Sequence, residues 1–218
     1  MAQIFHPSAN TLSKATIFGG LFLLAALAIA WDRINRSAYI TEANVVRDQP
    51  VPFSHEHHVR GLGIDCRYCH TTVETSAFAG MPSTEICMSC HSQIWKDSPV
   101  LAPVRESMRT GKPIVWTRVH DVPDFVYFNH GIHIAKGIGC ESCHGRVDKM
   151  PLMRRAHSLQ MGWCLECHRH PEQFVREPDE IYDFGPAVHS TAREHGAELV
   201  KEYGIDTKQL LDCWICHR

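Results

Sequence analysis

The sequence predicts a mainly helical chain, with short helices and coil wrapped round covalently attached prosthetic groups, behind one amino-terminal membrane-spanning helix. Three observations predict it. All ten cysteines of the 218 residues fall into five Cys-x-x-Cys pairs, each followed at once by His. Residues 15–31 carry no charge. A Phe-x-His-x-x-His segment occurs twice, each time ahead of a Cys-x-x-Cys-His motif. The remaining composition is ordinary: 44% hydrophobic, 21% charged, formal net charge −2. It excludes a disordered or collagen-like chain and a nucleic-acid binder built on a basic surface.

The first element is the anchor. Ala15 to Trp31 reads ATIFGGLFLLAALAIAW, 17 residues. As a helix it spans about 26 Å at ~1.5 Å per residue, near the lower limit for a hydrocarbon core of roughly 30 Å. Ala28-Ile29-Ala30 offers a signal-peptidase reading. Against it, the 14-residue leader holds a single Lys and is long for a signal peptide, so an uncleaved anchor is expected. Residues 1–14 are then cytoplasmic. The connector 32–52 is polar, closes on Pro50-Val51-Pro52 and lifts the rest of the chain off the bilayer.

The five motifs are Cys66-Arg67-Tyr68-Cys69-His70, Cys87-Met88-Ser89-Cys90-His91, Cys140-Glu141-Ser142-Cys143-His144, Cys164-Leu165-Glu166-Cys167-His168 and Cys213-Trp214-Ile215-Cys216-His217. This is the attachment signature of c-type haem. Two thiols add across the two vinyl groups on one porphyrin edge, and the adjacent His supplies the proximal nitrogen to iron. Zinc sites, thioredoxin-like motifs and disulfides also use paired cysteines, but none requires His directly after every pair. The reading is therefore a multihaem cytochrome c with five haem c groups and proximal ligands His70, His91, His144, His168 and His217. From Phe53 to His217 there are 165 residues, 33 per motif. A domain of that size normally buries a side-chain core; here porphyrin faces are expected to replace much of it. Covalent haem is assembled outside the bacterial cytoplasmic membrane, which places this part of the chain in the periplasm.

The repeat organises the middle of the chain. Phe53-Ser54-His55-Glu56-His57-His58 precedes the first motif, and Phe128-Asn129-His130-Gly131-Ile132-His133 precedes the third, each through a Gly-x-Gly turn. A further motif follows each, and Met81-Pro82 or Met150-Pro151 lies between the two motifs of each half. Residues 53–96 and 128–170 thus read as two-haem modules joined by a Pro-rich linker, 97–127. The segment 171–218 is an acidic stretch that ends in the fifth motif.

The pattern resembles the small multihaem cytochromes of the c3 and c7 type. The resemblance implies that the first His of each repeat ligates the nearest haem and the second a neighbouring one. His55 would serve the haem of His70, His58 that of His91, His130 that of His144 and His133 that of His168. Residues three apart on a helical turn lie on neighbouring rows, which suits two imidazoles for two irons. The fifth haem then needs another distal ligand. His120 leads, in the apolar run before the second module. His157 is next, and Met150, Met161 and Met81 are alternatives with packing as their ordinary role.

Between residues 171 and 212 there are ten Asp or Glu against four Lys or Arg. Ala187 to Tyr203 has helical spacing with a sparse apolar face of Val188, Ala192, Leu199 and Tyr203. It reads as a solvated helix or as a docking surface for a cationic partner. No phosphate-binding glycine loop, Ser-His-Asp arrangement or paired carboxylate stands out. Electron transfer therefore ranks above catalysis at an open iron, and no catalytic site is expected on this chain.

Ala79-Gly80-Met81-Pro82-Ser83-Thr84, Met161-Gly162-Trp163-Cys164, the duplicated His segments and the five motifs behind an anchor resemble the pentahaem cytochrome c subunit of bacterial alternative complex III. The resemblance covers nearly the whole chain. It implies a subunit of a menaquinol-oxidising respiratory or photosynthetic complex. Its partners would be membrane quinol-binding subunits, an iron–sulfur subunit and a mono-haem cytochrome c subunit. A periplasmic cytochrome, copper protein or terminal oxidase would accept the electrons. The alternatives are a relay for another molybdopterin-type oxidoreductase complex and a multihaem reductase with an open iron site.

Overall fold

The computed structural model describes residues 4–186 and 188–217, with side chains throughout except at 189–193. The first three positions of the expected cytoplasmic leader, Ala187 of the expected acidic helix and Arg218 lie outside the described residues, as do the side chains of His189 and Ala192. Met1–Glu42 and Ala43–Arg218 form two compact units.

The amino-terminal unit is one long helix, α1 (Ser8–Arg36), followed by a single turn, α2 (Ala38–Thr41). The helix starts seven residues before Ala15 and ends five after Trp31. The polar flanks extend it because they hydrogen-bond along the helix: Thr16 Oγ1 donates to Leu12 O (3.0 Å) and Arg36 pairs with Asp32 at 2.8 Å. Arg33 and Arg36 occupy the last turn, where positive charge complements the helix dipole. Ser37 leaves the helical region and closes the end, its hydroxyl on Ile34 O at 2.6 Å. No residue of α1 is buried, and Leu21, Phe22, Leu24 and Leu27 are all more than half exposed. The helix is long and apolar enough to cross a membrane.

The second unit is helical with no strand among the described residues, only the isolated bridges Val46–Arg154 and Ile138–Val175. Its elements are a π-helical turn at Glu56–Gly61, α3 (Cys66–Cys69), α4 (Thr84–His91), α5 (Ala102–Thr110), α6 (His130–Ala135), α7 (Cys140–His144), α8 (Met161–Arg169), α9 (Val188–Glu202) and α10 (Cys213–Cys216). Most are one or two turns long. Helices so short are not stable by themselves in water, so their order comes from what they hold and what they pack on.

The apolar packing is thin. One buried cluster joins Val51, Leu101 and Val104. The other joins Ile138, Val175 and Leu199, with Cys143, Cys167 and Tyr203 against it. Meanwhile Leu62, Phe78, Ile94, Trp95, Phe125, Met161 and Trp214 all stand more than half exposed. A domain of this length ordinarily hides such side chains.

Where the second cluster forms, it is organised by a buried ion pair. Arg176, 1% exposed, lies 3.7 Å from Glu141 and donates to Asp183 O at 3.1 Å. The Gly137-Ile138-Gly139 turn exists to let it in: a Cβ on Gly139 would sit 2.5 Å from the guanidinium, and Gly137 has φ +76° with the Tyr203 ring beside it. In α9, Val188 and Leu199 are buried, while Glu194, His195 and Glu198 face water. Of the apolar face expected from the sequence, Val188 and Leu199 are therefore core. Gly196 lets the helix rest directly on the Glu172 backbone.

Two predictions follow from this balance. Glu141→Ala strips the buried guanidinium of its carboxylate and should cost roughly 3–5 kcal/mol, read as a fall of roughly 6–20 °C in the melting midpoint of the holoprotein. Replacing all ten cysteines with Ala, which prevents cofactor attachment, should abolish the cooperative thermal transition of residues 43–218 by circular dichroism.

Candidate haem-binding site

The motif helices present their residues in two ways. α3, α7 and α10 are little more than the Cys-x-x-Cys turn itself, whereas α4 and α8 carry the motif at their carboxyl-terminal ends. In both, cysteines three apart sit on one side of a helical turn. None of the ten is in a disulfide. Asp65 caps α3: its carboxylate accepts from Arg67 N at 2.8 Å and pairs with the Arg67 guanidinium at 2.8 Å, which holds the carboxyl below its usual range.

Each motif His is fixed through Nδ1. His70 Nδ1 lies 2.8 Å from Gly80 O, His91 Nδ1 2.9 Å from Ile94 O, His168 Nδ1 2.9 Å from Leu210 O and His217 Nδ1 3.1 Å from Phe125 O. His144 differs, with Nδ1 3.2 Å from His120 Nε2. A proton held on Nδ1 leaves the Nε2 lone pair for a metal.

The repeat histidines are arranged alike in both copies. Phe53 stacks on His58 (4.3 Å, 26°) and meets His55 edge-on (4.9 Å, 85°). Phe128 does the same to His133 (4.5 Å, 28°) and His130 (4.7 Å, 89°). His58 Nδ1 bonds Ser54 O at 2.8 Å and His133 Nδ1 bonds Asn129 O at 2.7 Å. His130 Nδ1 lies 3.0 Å from Ala77 O. His55 Nδ1 is buried without a hydrogen-bond partner.

These rings face motif rings at a shared distance. His58 and His91 are 6.3 Å apart, His130 and His144 6.4 Å, and His133 and His168 6.3 Å, centroid to centroid. Two imidazoles on opposite faces of one metal need a separation of about 6–6.5 Å, given metal–imidazole bonds of roughly 2.0–2.1 Å. His55 interacts electrostatically with His70. Among the described residues no three His, Cys, Asp or Glu converge as a bare metal site requires. Opposed imidazole pairs, with four equatorial positions left to a macrocycle, suit haem, and the exposed aromatic and aliphatic side chains suit its faces.

Burial favours the neutral form of several imidazoles at the site. It lowers His55 to about 4, helped by His70 and His58, and lowers His120 to about 4, helped by Arg155. Burial also lowers His133, and takes His144 well below its usual value. A neutral ring is the form that binds metal.

The remaining candidates are dispersed. His157 stacks on Trp163 at 5.0 Å. Met150 is buried, with Cε 3.7 Å from where a Cβ on Gly145 would lie, whereas Met81 and Met161 are exposed. The structure brings His120 to His144, and the ring of His217 lies beside Phe125 at 5.8 Å.

The motifs form a file. Cys69 lies near Cys87, Cys66 near Cys140, Cys143 near Cys164 and Cys167, and Cys164 near Cys216. Tyr68 and Ser89 join the first two motifs at 3.0 Å, and Tyr127 N bonds Cys216 O at 2.8 Å. The spatial order is second, first, third, fourth, fifth. The acceptor carbonyls of Gly80, Ile94, Leu210 and Phe125 escaped sequence reading because backbone acceptors leave no residue signature.

Fold and motifs together define a multihaem c-type cytochrome with a cytochrome c7-like fold. Residues 126–218 match the family described as cytochrome c7 and related cytochrome c. Over 123 residues the chain is 36% identical to the menaquinone reductase, multiheme cytochrome c subunit, of Nitratidesulfovibrio vulgaris, covering 56% of this chain and 55% of that protein. The chain thus spans about half the length of the curated relative it matches.

Replacing His55 with Ala should convert one low-spin haem to high-spin while the others stay low-spin. Electronic spectra of the oxidised holoprotein read this directly.

Proposed function

We propose that this chain is the electron-relay subunit of a quinone-linked membrane complex, holding five haem c groups on the periplasmic side behind an uncleaved α1 anchor. The single observation that carries the reading is the file of five attachment motifs, three of them with a facing imidazole at iron-bridging distance. When bound, haem would supply one-electron exchange at its iron. The chain supplies the rest. The paired cysteines tether each group. His70, His91, His144, His168 and His217 hold the proximal position, and His55, His58, His130 and His133 the distal one. The overlapping turns keep consecutive motifs side by side. In this reading the chain relays electrons, and the reaction of the complex belongs to its other subunits.

We assign the complex as a menaquinol-oxidising assembly of the alternative complex III type. In it, polytopic quinol-binding subunits, an iron–sulfur subunit and a mono-haem cytochrome c surround this chain, and a periplasmic acceptor takes the electrons. The sequence features of residues 79–84 and 161–164 support that assignment. A second reading reverses the direction. The matched relative is a menaquinone reductase subunit, and the same relay would then carry electrons toward quinone.

Capture of this chain from mildly solubilised native membranes should bring polytopic and iron–sulfur subunits with it by mass spectrometry, and a reduced menaquinone analogue should then reduce its haems. Recovery of the chain alone would overturn the assignment. Quinone-driven haem oxidation, with no reduction by quinol, would select the reverse direction.

A further inference from the structure

The five motif histidines are alike in sequence and differ in one structural respect. Four place Nδ1 on a backbone carbonyl, and His144 places it on a side chain, His120 Nε2, at 3.2 Å. The two rings meet edge-on, 4.3 Å between centroids and 68° between planes. His120 is itself held in place. Arg155 brackets it, donating from Nε to Val119 O at 3.1 Å and from Nη2 to Asp121 O at 3.5 Å. Arg118 ties the same turn by pairing with Asp121 at 2.9 Å. On its other side His144 faces His130, ring to ring and nearly parallel, 6.4 Å and 9°. His144 thus stands between an imidazole across the iron position and an imidazole behind it.

We infer that His120 is a positioning residue for His144: it accepts the Nδ1–H of that imidazole, fixes the ring plane, and sets the reduction potential of the iron that His144 holds. The physical link is ligand basicity. A hydrogen bond donated by Nδ1–H pushes electron density toward Nε2 and stabilises the ferric state, and second-position hydrogen bonding is one of the protein's controls on haem potential. A carbonyl acceptor belongs to the backbone and cannot be tuned by substitution. The His120 acceptor can, and it belongs to the middle motif of the file. There a change in potential alters transfer in both directions. Its Nε2, turned to His144, is not turned to an iron at His217.

The inference rests on covalent haem at Cys140–His144. The mass of the intact wild-type chain tests that separately, by showing whether five haems are attached.

The experiment is a spectroscopic redox titration of the holoprotein and three variants. His120→Phe removes the acceptor. One haem should rise in potential, with about a tenfold shift in its ferric-to-ferrous ratio, equal to 59 mV for one electron, while all haems stay low-spin. His120→Glu offers a charged acceptor and should move the same haem downward. His120→Gln keeps a neutral acceptor and should restore the wild-type potential. A haem turned high-spin in His120→Phe would make His120 an iron ligand and overturn the inference. Unchanged potentials in all variants would overturn it as well. Should His120→Phe fail to assemble, a lowered potential in the Glu variant beside a wild-type potential in the Gln variant supports the inference, and an unchanged potential in the Glu variant overturns it.

Discussion

The orientation of imidazole rings is the constraint on which the rest of this structure depends. A metal held by two side chains tolerates little rotation of either, so each ring needs a second contact that costs it no freedom at the metal. The chain meets this requirement largely with Nδ1 hydrogen bonds, and three of the carbonyl acceptors come from far away in sequence. His168 leans on Leu210, His217 on Phe125 and His130 on Ala77. Each bond ties a motif to a distant segment. The loops are therefore part of the site: moving Phe125 would rotate His217.

That requirement explains why the apolar core is so small. Short turns that end at cysteines and histidines cannot also present long apolar faces to each other, and the aromatic residues near the motifs point outward instead. What side-chain packing remains is gathered in two small clusters, each of which also touches motif cysteines. The Ile138–Val175–Leu199 cluster is one of them. There a buried Arg176 reaches backbone carbonyls and Glu141 together. A buried ion pair gains little stability over apolar residues of equal size, yet removing one partner is costly. Here it fixes the turn from which α7 starts, so rigidity at that point matters more than net stabilisation.

The attachment chemistry was legible in the sequence because it is local. Two thiols and an imidazole within five residues specify it, and no tertiary contact is needed to see it. The repeat was legible for the same reason, and Phe53 and Phe128 take the same stacked and edge-on contacts with their histidines. Helix α9 showed in its spacing, and its burial showed only in the fold, since Gly196 meeting the Glu172 backbone is a long-range contact. The end points of α1 exceeded the apolar run because polar flanks with i,i+4 partners continue a helix that hydropathy alone would stop. The sequence singled out His120 as a candidate ligand of the fifth iron, and its contact with His144 shows only in the fold. The sequence shows a histidine in a Pro-rich linker, and its approach to His144 is set by Arg155 hydrogen-bonding on either side of it.

The two copies of the repeat also differ in a way that bears on how the motifs come together. Where the first copy has Glu56, the second has Gly131. The backbone of Gly131 donates to Ser76 O at 2.9 Å, and a Cβ there would stand 3.0 Å from Glu74 O. The second helix can therefore start directly on the loop that follows the first motif. Glu56 N instead reaches forward to Met150 O at 3.1 Å, in the loop that follows the third motif. Each copy is thus seated on the other's loop. Duplication alone would give two modules joined by a linker, free to separate. Reciprocal seating makes them one body, and it brings Cys66 against Cys140. The glycine at position 131 is the residue through which a repeated segment becomes a continuous file of attachment sites.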